Sequence, residues 1–219
     1  ANYLDMPNQE AVLSYFKQHF NIFSANNQDG TDTGMITGYY QPLLKGSLFK
    51  SNQYPFPLYR QPADMITVEL ADLYPELKNK RIRGKLNGNK LLPYYSRAEI
   101  DTSPSPLAGS ELVWINDIID VFFLQVQGSG LVKLENGESM HVGYADQNGQ
   151  AYNSIGRVLV ERGELTLDQA SMQGIKNWTK NNPTKLRDLL NANPSYVFFK
   201  ELPSGLPGPL GALGVPLTA

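Results

Sequence analysis

The stretch FFLQVQGSG, residues 122–130, decides how the middle of the chain is built. An apolar run ends in two glutamines, Gln125 and Gln127, and then breaks into Gly-Ser-Gly. Burying an amide without hydrogen-bond partners costs roughly 1–3 kcal/mol. The two glutamines are therefore either satisfied inside the protein or placed along a wet groove that receives a ligand.

Two secondary structures compete for this stretch. A strand would place both glutamines on one face. A helix begun at Asn116 or Asp117 would stack apolar side chains on one side and end at Gly128, where glycine takes the left-handed conformation of a helix end. The helical pattern covers more residues, so we predict a helix that ends near Gln127 and a strand that starts around Gly130.

The flanking sequence predicts small strands joined by tight turns. Asn-Gly pairs occur at residues 87–88, 136–137 and 148–149, and the first two lie between plausible strands, which indicates hairpins. Residues 34–42 are typical of a strand. The stretch 43–62 carries three prolines, which predict an edge or crossing segment rather than a central strand.

Helices are predicted at both ends of the chain. Residues 9–23 form an amphipathic pattern after Asn8, and Ser96 begins a capping box with Glu99. Three later caps predict the starts of further helices: Ser154, Thr166 and Thr184. The fold class is therefore β-rich α+β.

Composition and motifs exclude several kinds of chemistry. The chain of 219 residues has a net charge of −2 and no cysteine, so neither nucleic-acid binding nor thiol chemistry is indicated. Its two histidines belong to no metal-ligand or triad pattern, and QGSG is not a phosphate loop. The remaining candidate catalysts are carboxylates, each with a structural alternative as a helix cap or turn residue: Glu99, Asp101, Asp120 and Asp146.

Six blocks in order along the chain resemble the membrane-bound lytic murein transglycosylase A family. They are TGYYQP (37–42), LPYYSRAEID (92–101), FFLQVQGSG (122–130), VGYADQNGQAYNSIGRVLVERGE (142–164), MQGIKNW (172–178) and NPSYVFFK (193–200). Each motif alone is weak, but several blocks are long enough to be distinctive together.

The resemblance implies a fold and an activity. Members cleave the β-1,4 bond between N-acetylmuramic acid and N-acetylglucosamine in peptidoglycan, and the muramic C6 hydroxyl attacks C1 to leave a 1,6-anhydro end. The implied fold is a double-psi β-barrel, here residues 1–42 plus 193–219, interrupted by a second β-rich domain, here 43–192, with several helices. It further implies no cofactor, peptidoglycan glycan strands as the partner, and a lipid anchor at the periplasmic face of the outer membrane.

One departure from the family pattern stands out. The family's catalytic aspartate lies in a DxGGxIKG-type motif, and this chain reaches Ala219 without one. We therefore expect a fragment without its own catalytic residue, in which the barrel is incomplete. The alternatives are a non-catalytic peptidoglycan-binding module, and a structural role in which Gln125, Gln127 and Ser129 only satisfy the backbone at a helix end.

Substrate-binding residues are predicted on both sides of a glycan groove. Tyrosine offers a face for a sugar ring and a hydroxyl for its acetamido group. Thr37, Tyr39 and Tyr40 are expected on the groove floor. The residues predicted to border the cleft from opposite sides are Gln125, Gln127, Gly128 and Ser129 on one side and Tyr144, Asn148 and Tyr152 on the other.

Overall fold

The computed structural model describes residues 8–203, except 22, 25 and 35–40. The chain divides into two compact units, residues 1–39 and 40–219. In the first unit, helix α1 spans Gln9–His19, and the Asn8 side chain accepts a hydrogen bond from the Ala11 N–H at 2.9 Å. The predicted amphipathic helix and its cap are confirmed, but the helix ends at His19 because Phe20 is already extended.

The second unit alternates strands and short helices. Its strands are β1 (Leu43–Ser47), β2 (Phe56–Tyr59), β3 (Met65–Glu69), β4 (Arg81–Asn87), β5 (Lys90–Pro93), β6 (Glu111–Ile115), β7 (Ser129–Leu134), β8 (Ser139–Gln147) and β9 (Val197–Glu201). Its helices are α2 (Arg97–Ile100), α3 (Ile118–Gln127), α4 (Ile155–Glu161), α5 (Met172–Asn181) and α6 (Leu186–Asn191), with 3₁₀ turns at Pro75–Leu77 and Pro183–Lys185.

Two sheets organise these strands. The larger has the order β2-β6-β1-β7-β8-β9, in which only the β1–β7 pair is parallel, and the smaller has the order β3-β4-β5. The prediction that residues 43–62 contain no central strand is wrong for β1, which lies between β6 and β7. The first proline after β1 is Pro55, so the β1 backbone keeps its donors, whereas β2, which contains Pro57, lies at the sheet edge.

Both predicted Asn-Gly hairpins are confirmed. One joins β4 to β5 and the other joins β7 to β8. Gly88 and Gly137 take φ angles of +61° and +87°, in the left-handed region that other residues rarely adopt.

Helix α3 lies between the large sheet and a cluster of helices. It begins after Asp117, whose side chain accepts from the Ile119 N–H at 2.7 Å. Val121 and Leu124 pack with the sheet core, while Ile119 and Phe122 pack with α4, α5 and α6. A helix with seven apolar residues out of ten therefore packs against protein on two sides, in agreement with the helical interpretation of this stretch.

The later helices correct two predicted caps. Ser154 caps α4 as predicted, but α5 begins after Ser171, whose side chain accepts from the Gly174 N–H at 3.1 Å. Thr166 instead closes a turn with Gln169. Thr184 lies inside the 3₁₀ turn before α6, where it cannot act as the cap.

The described sheets are consistent with the α+β class and do not form a closed barrel. In the described part of the chain, β2 and β9 are the edges of the large sheet. Strand β9, which follows the expected domain boundary at residue 193, pairs with β8, which precedes it. The strand pairing therefore shows no boundary at this point, and the division into barrel and inserted domains stays a prediction. Most of the predicted strand 34–42 lies outside the described residues. No helix in the described ranges is long and apolar enough to cross a bilayer.

Candidate functional site

The QGSG turn connects the end of α3 directly to β7. Gly128 has φ +80°, and its N–H donates to the Leu124 carbonyl at 2.8 Å. Ser129 is already the first residue of β7, opposite Gly143 of β8. The predicted helix end is thus confirmed, and the glycine is required by its backbone conformation.

The second glycine of the turn is explained by packing. A Cβ at Gly130 would lie 2.6 Å from Leu124 Cδ1 and 2.9 Å from the Pro42 carbonyl oxygen. The space beside Gly130 is filled by protein, so the lack of a side chain there serves packing rather than the approach of a ligand.

Tyr144 lies beside this turn. A Cβ at Gly128 would lie 3.9 Å from the Tyr144 Cβ, and the tyrosine side chain is 45% exposed. Partial burial and the nearby Asp146 carboxylate raise the pKa of the Tyr144 hydroxyl. The β7–β8 pairing therefore brings Tyr144 next to Gly128, and the tyrosine is partly open to solvent there.

Gln125 faces the interior, against Arg97. The Arg97 side chain is 3% exposed, and its guanidinium donates to the backbone carbonyls of Asn193 and Ser195 at 3.0 and 2.7 Å and to the Gln125 Oε1. The rings of Phe122 and Tyr196 each lie 4.9 Å from the guanidinium carbon. Burial lowers the pKa of Arg97.

A cavity of about 300 Å³ opens next to Arg97, and we call it the Arg97 cavity. It contains two predicted site residues, Gln125 and Tyr152, of which Tyr152 is 58% exposed. The complete lining is Arg97, Phe122, Gln125, Val126, Tyr152, Asn193, Ser195 and Val197. The structure thus brings Gln125 and Tyr152 together in one concave surface.

The Asn148 side chain links three segments of the chain through hydrogen bonds to their backbone groups. Its Nδ2 donates to the carbonyls of Tyr95 and Pro194, both at 2.9 Å, and its Oδ1 accepts from the backbone N–H groups of Gln150 and Tyr196. The residue is 1% exposed. All four hydrogen-bonding positions of the amide are used by protein, so the geometry favours the turn-forming alternative over a ligand contact.

The remaining predicted residues are Gln127 and three residues near position 40. Gln127 is half-buried at the last position of α3. Thr37, Tyr39 and Tyr40 fall outside the described residues.

Two candidate carboxylates are paired with cations. Asp146 Oδ1 accepts from Arg83 Nε at 2.6 Å, and the two side chains are only 13% and 11% exposed. Asp120 accepts from Lys176 Nζ at 2.6 Å in a more open setting. A carboxylate in contact with a cation favours the ionised form, whereas a general acid must be protonated before it can protonate a leaving group.

The remaining two carboxylates lie at the ends of α2. Glu99 completes the predicted capping box with Ser96, and the hydrogen bond from the Ser96 N–H lowers its pKa. Asp101 follows the helix, and burial raises its pKa against the opposing effect of Arg97 and Arg187. Among the described residues, no group of three or more His, Cys, Asp or Glu side chains is arranged to hold a metal ion.

Comparison with known proteins places these residues in a family. The family described as "MltA specific insert domain" matches residues 35–200. The chain belongs to the MltA family. The match covers the whole described sheet region, including the QGSG turn and the Arg97 cavity.

Relatives at moderate identity agree with this assignment. Membrane-bound lytic murein transglycosylase A of Escherichia coli (strain K12) is 34% identical over 187 residues, which are 83% of this chain and 42% of that protein. The chain therefore spans less than half the length of this curated relative.

Solved structures are similar over the same region. Lytic transglycosylase LtgG of Burkholderia pseudomallei shares 46% identity with a TM-score of 0.65, covering 88% of this chain and 50% of that chain. E. coli MltA with bound chitohexaose shares 32% identity with a TM-score of 0.64, covering 83% and 46%.

Sequence reasoning missed Arg97, Asn193 and Ser195 as parts of the cavity. Arg97 lies in the MltA-like block 92–101, but the SRAEI pattern was interpreted only as a helix start. Its place in that family-like block was the available signal. Asn193 and Ser195 carried no such signal, since they contribute backbone carbonyls to Arg97.

Proposed function

We propose that this chain supplies a glycan-binding surface of a peptidoglycan lytic transglycosylase. The observation that carries the proposal is the partly exposed Tyr144, whose Cβ lies beside the Gly128 backbone of the QGSG turn. An aromatic face next to a backbone without a Cβ allows a sugar ring to approach closely. The chitohexaose bound to the similar E. coli MltA supports a sugar as the ligand.

The proposed reaction of the whole enzyme cleaves the MurNAc–GlcNAc β-1,4 bond without adding water. The muramic C6 hydroxyl attacks C1, forms the 1,6-anhydro ring and displaces the O4 oxygen of the next sugar. A well-oriented internal nucleophile reaches effective molarities of about 10⁵–10⁸ M. One carboxyl group therefore suffices, first as the acid for the leaving oxygen and then as the base for the O6 proton.

We assign that carboxyl group to none of the described aspartates. Asp146 and Asp120 each accept a 2.6 Å contact from a cation, and Asp101 lies at the end of α2 rather than on the QGSG–Tyr144 surface. The 219-residue chain on its own is accordingly proposed to bind glycan strands without cleaving them. In the cell, we propose that the whole protein works at the periplasmic face of the outer membrane, in keeping with the membrane-bound name of its relative.

The test combines binding and product analysis with the 219-residue protein. Incubation with purified sacculi is expected to pull the protein into the pellet, and mass spectrometry of the supernatant is expected to show no 1,6-anhydro product above a buffer control. Tyr144→Ala should weaken binding about tenfold through loss of ring stacking, whereas the exposed Leu167→Ala in the α4–α5 connection serves as a control. Failure of the wild-type protein to bind sacculi or chito-oligosaccharides would refute the proposed function, and release of anhydro product would show that one of the chain's own carboxylates is catalytic.

A further inference from the structure

The Arg97 cavity contains a buried cation that has no carboxylate partner at contact distance. The six ion pairs found among the described residues use other cations. Arg97 instead donates to neutral acceptors, two backbone carbonyls and the Gln125 amide oxygen. The Asp101 carboxylate acts on Arg97 electrostatically but lies beyond ion-pair distance. A positive charge is thus held in the protein without a counter-charge in direct contact.

Gln125 adds an unused donor to the same cavity. The residue is 7% exposed, and its Oε1 is occupied by Arg97, whereas its Nε2 has no hydrogen-bond partner in the described part of the chain. Burial raises the pKa of the Tyr196 hydroxyl and the Gln125 side chain acts against this rise, so the amide lies near that hydroxyl. A buried donor without a partner is costly, so native proteins rarely keep one without a reason.

The walls of the cavity suit a small acidic group on a larger molecule. Phe122, Val126 and Val197 provide apolar surface, while Val126 and Tyr152 are the exposed lining residues and so mark the mouth. The volume of about 300 Å³ is at the lower end of ligand sites, too small for a long glycan but sufficient for one substituent. A carboxylate would accept from the donors and also balance the charge of Arg97, which a neutral carbonyl could not do.

We propose that the Arg97 cavity binds a carboxylate carried on the glycan strand, an inference that rests on the proposed glycan-binding function. Two groups of peptidoglycan have this chemistry, the lactyl carboxylate of muramic acid without its peptide and the carboxylates of the stem peptide. The cavity would then distinguish muramic-acid polymers from neutral glycans such as chitin, which carry no acid.

The test compares matched ligands on the 219-residue protein by isothermal titration calorimetry. The ligands are a chito-oligosaccharide, a stem-free muramyl glycan of the same length, the same glycan with its lactyl carboxylates converted to amides, and a stem-bearing fragment. At least one carboxylate-bearing ligand is expected to bind about tenfold more tightly than the amide form, the gain typical of a charge-assisted hydrogen bond. Preference for the stem-free acid assigns the lactyl group, and preference confined to the stem-bearing fragment assigns the peptide.

A substitution that keeps the shape of the cavity provides the second readout. Gln125→Glu places a carboxylate beside Arg97, so the ratio between acid and amide affinities is expected to fall to about one. Gln173→Glu, on the exposed face of α5, adds the same charge elsewhere and is expected to keep the wild-type ratio. Equal affinity of the wild-type protein for acid and amide forms would overturn the inference, as would an undiminished preference in Gln125→Glu. Glycan binding without acid preference would leave the proposed function intact.

Discussion

The two sheets of the second unit are held in place by different interactions. The central strands of the large sheet contribute Leu44, Val132 and Val142 to a continuous apolar core that is almost completely buried. The small sheet leaves Ile82 and Leu86 of β4 exposed. It is joined to the rest of the unit by the Arg83–Asp146 ion pair and by a smaller apolar cluster, in which Met65 of β3 packs with Phe198 of β9.

The two kinds of interaction contribute differently to the folding free energy and to the orientation of the sheets. Burial of apolar area is non-directional and supplies most of the folding free energy, so the large sheet acts as the scaffold. Hydrogen bonds and ion pairs contribute less on balance, but they fix orientation. The Arg83–Asp146 pair is a directional link between the small sheet and β8, and Asp146 is two residues from Tyr144. Substitutions in the two sheets should therefore differ in how much unfolding free energy they remove and in how far their effects spread through the structure.

The largest loss is expected in the core under α3. Leu124→Ala removes a fully buried side chain that packs with the large sheet, and the free energy of unfolding should fall by about 3–4 kcal/mol in urea denaturation. Val126→Ala, on the same helix but half-exposed, should cost less than about 1 kcal/mol. Equal losses at the two positions would contradict the view that the large sheet is stabilised by burial.

Breaking the polar link should produce a smaller and more local effect. Arg83→Met leaves Asp146 partly buried without its cation, and the expected loss is about 2–3 kcal/mol. Hydrogen exchange should accelerate in β4 while β7 amides stay protected. Arg81→Met removes an exposed pair with Glu69 and should change stability by less than about 1 kcal/mol. Uniform acceleration of exchange across both sheets after Arg83→Met would mean that the small sheet is not a separate unit of stability.

The smallest effects should be equal in the two sheets. Gly88→Ala and Gly137→Ala place a side chain at a positive φ in the two Asn-Gly hairpins, and in both cases nothing lies within 4 Å of the added Cβ. Each should cost about 1–2 kcal/mol in thermal or urea unfolding, because the strain is local. A loss confined to one hairpin would show that the turn in the other sheet relaxes or frays.

Local signals in the sequence predicted much of the fold. The hairpin glycines, the Asn8 and Ser154 caps, the Ser96–Glu99 box and the end of α3 all depend on residues within a few positions of one another. The central position of β1 could not be predicted, because it depends on β6 and β7 about 70 and 85 residues away. Thr166 and Thr184 failed as caps because Ser171 and the Pro183 turn were equally valid local choices.

Residue type could nominate candidate site residues but could not give their orientation. Tyr144, Tyr152 and the QGSG stretch were identified from residue type and family resemblance, and the structure groups them in two places. No sequence pattern indicates that Gln125 turns inward to Arg97 or that all of the Asn148 amide is used by backbone groups. Such outcomes are decided by packing between segments, which a single sequence does not display.

The position of β1 also governs how fast this unit can fold. Its two neighbours in the sheet, β6 and β7, are separated from it in sequence by β2 to β5, so neither pairing forms until a long loop has closed. The β4–β5 and β7–β8 hairpins need only short turns and are expected early. We expect insertion of β1 between β6 and β7 to be a late step, and during that step the unpaired edges of β6 and β7 would be open to mispairing with a second chain.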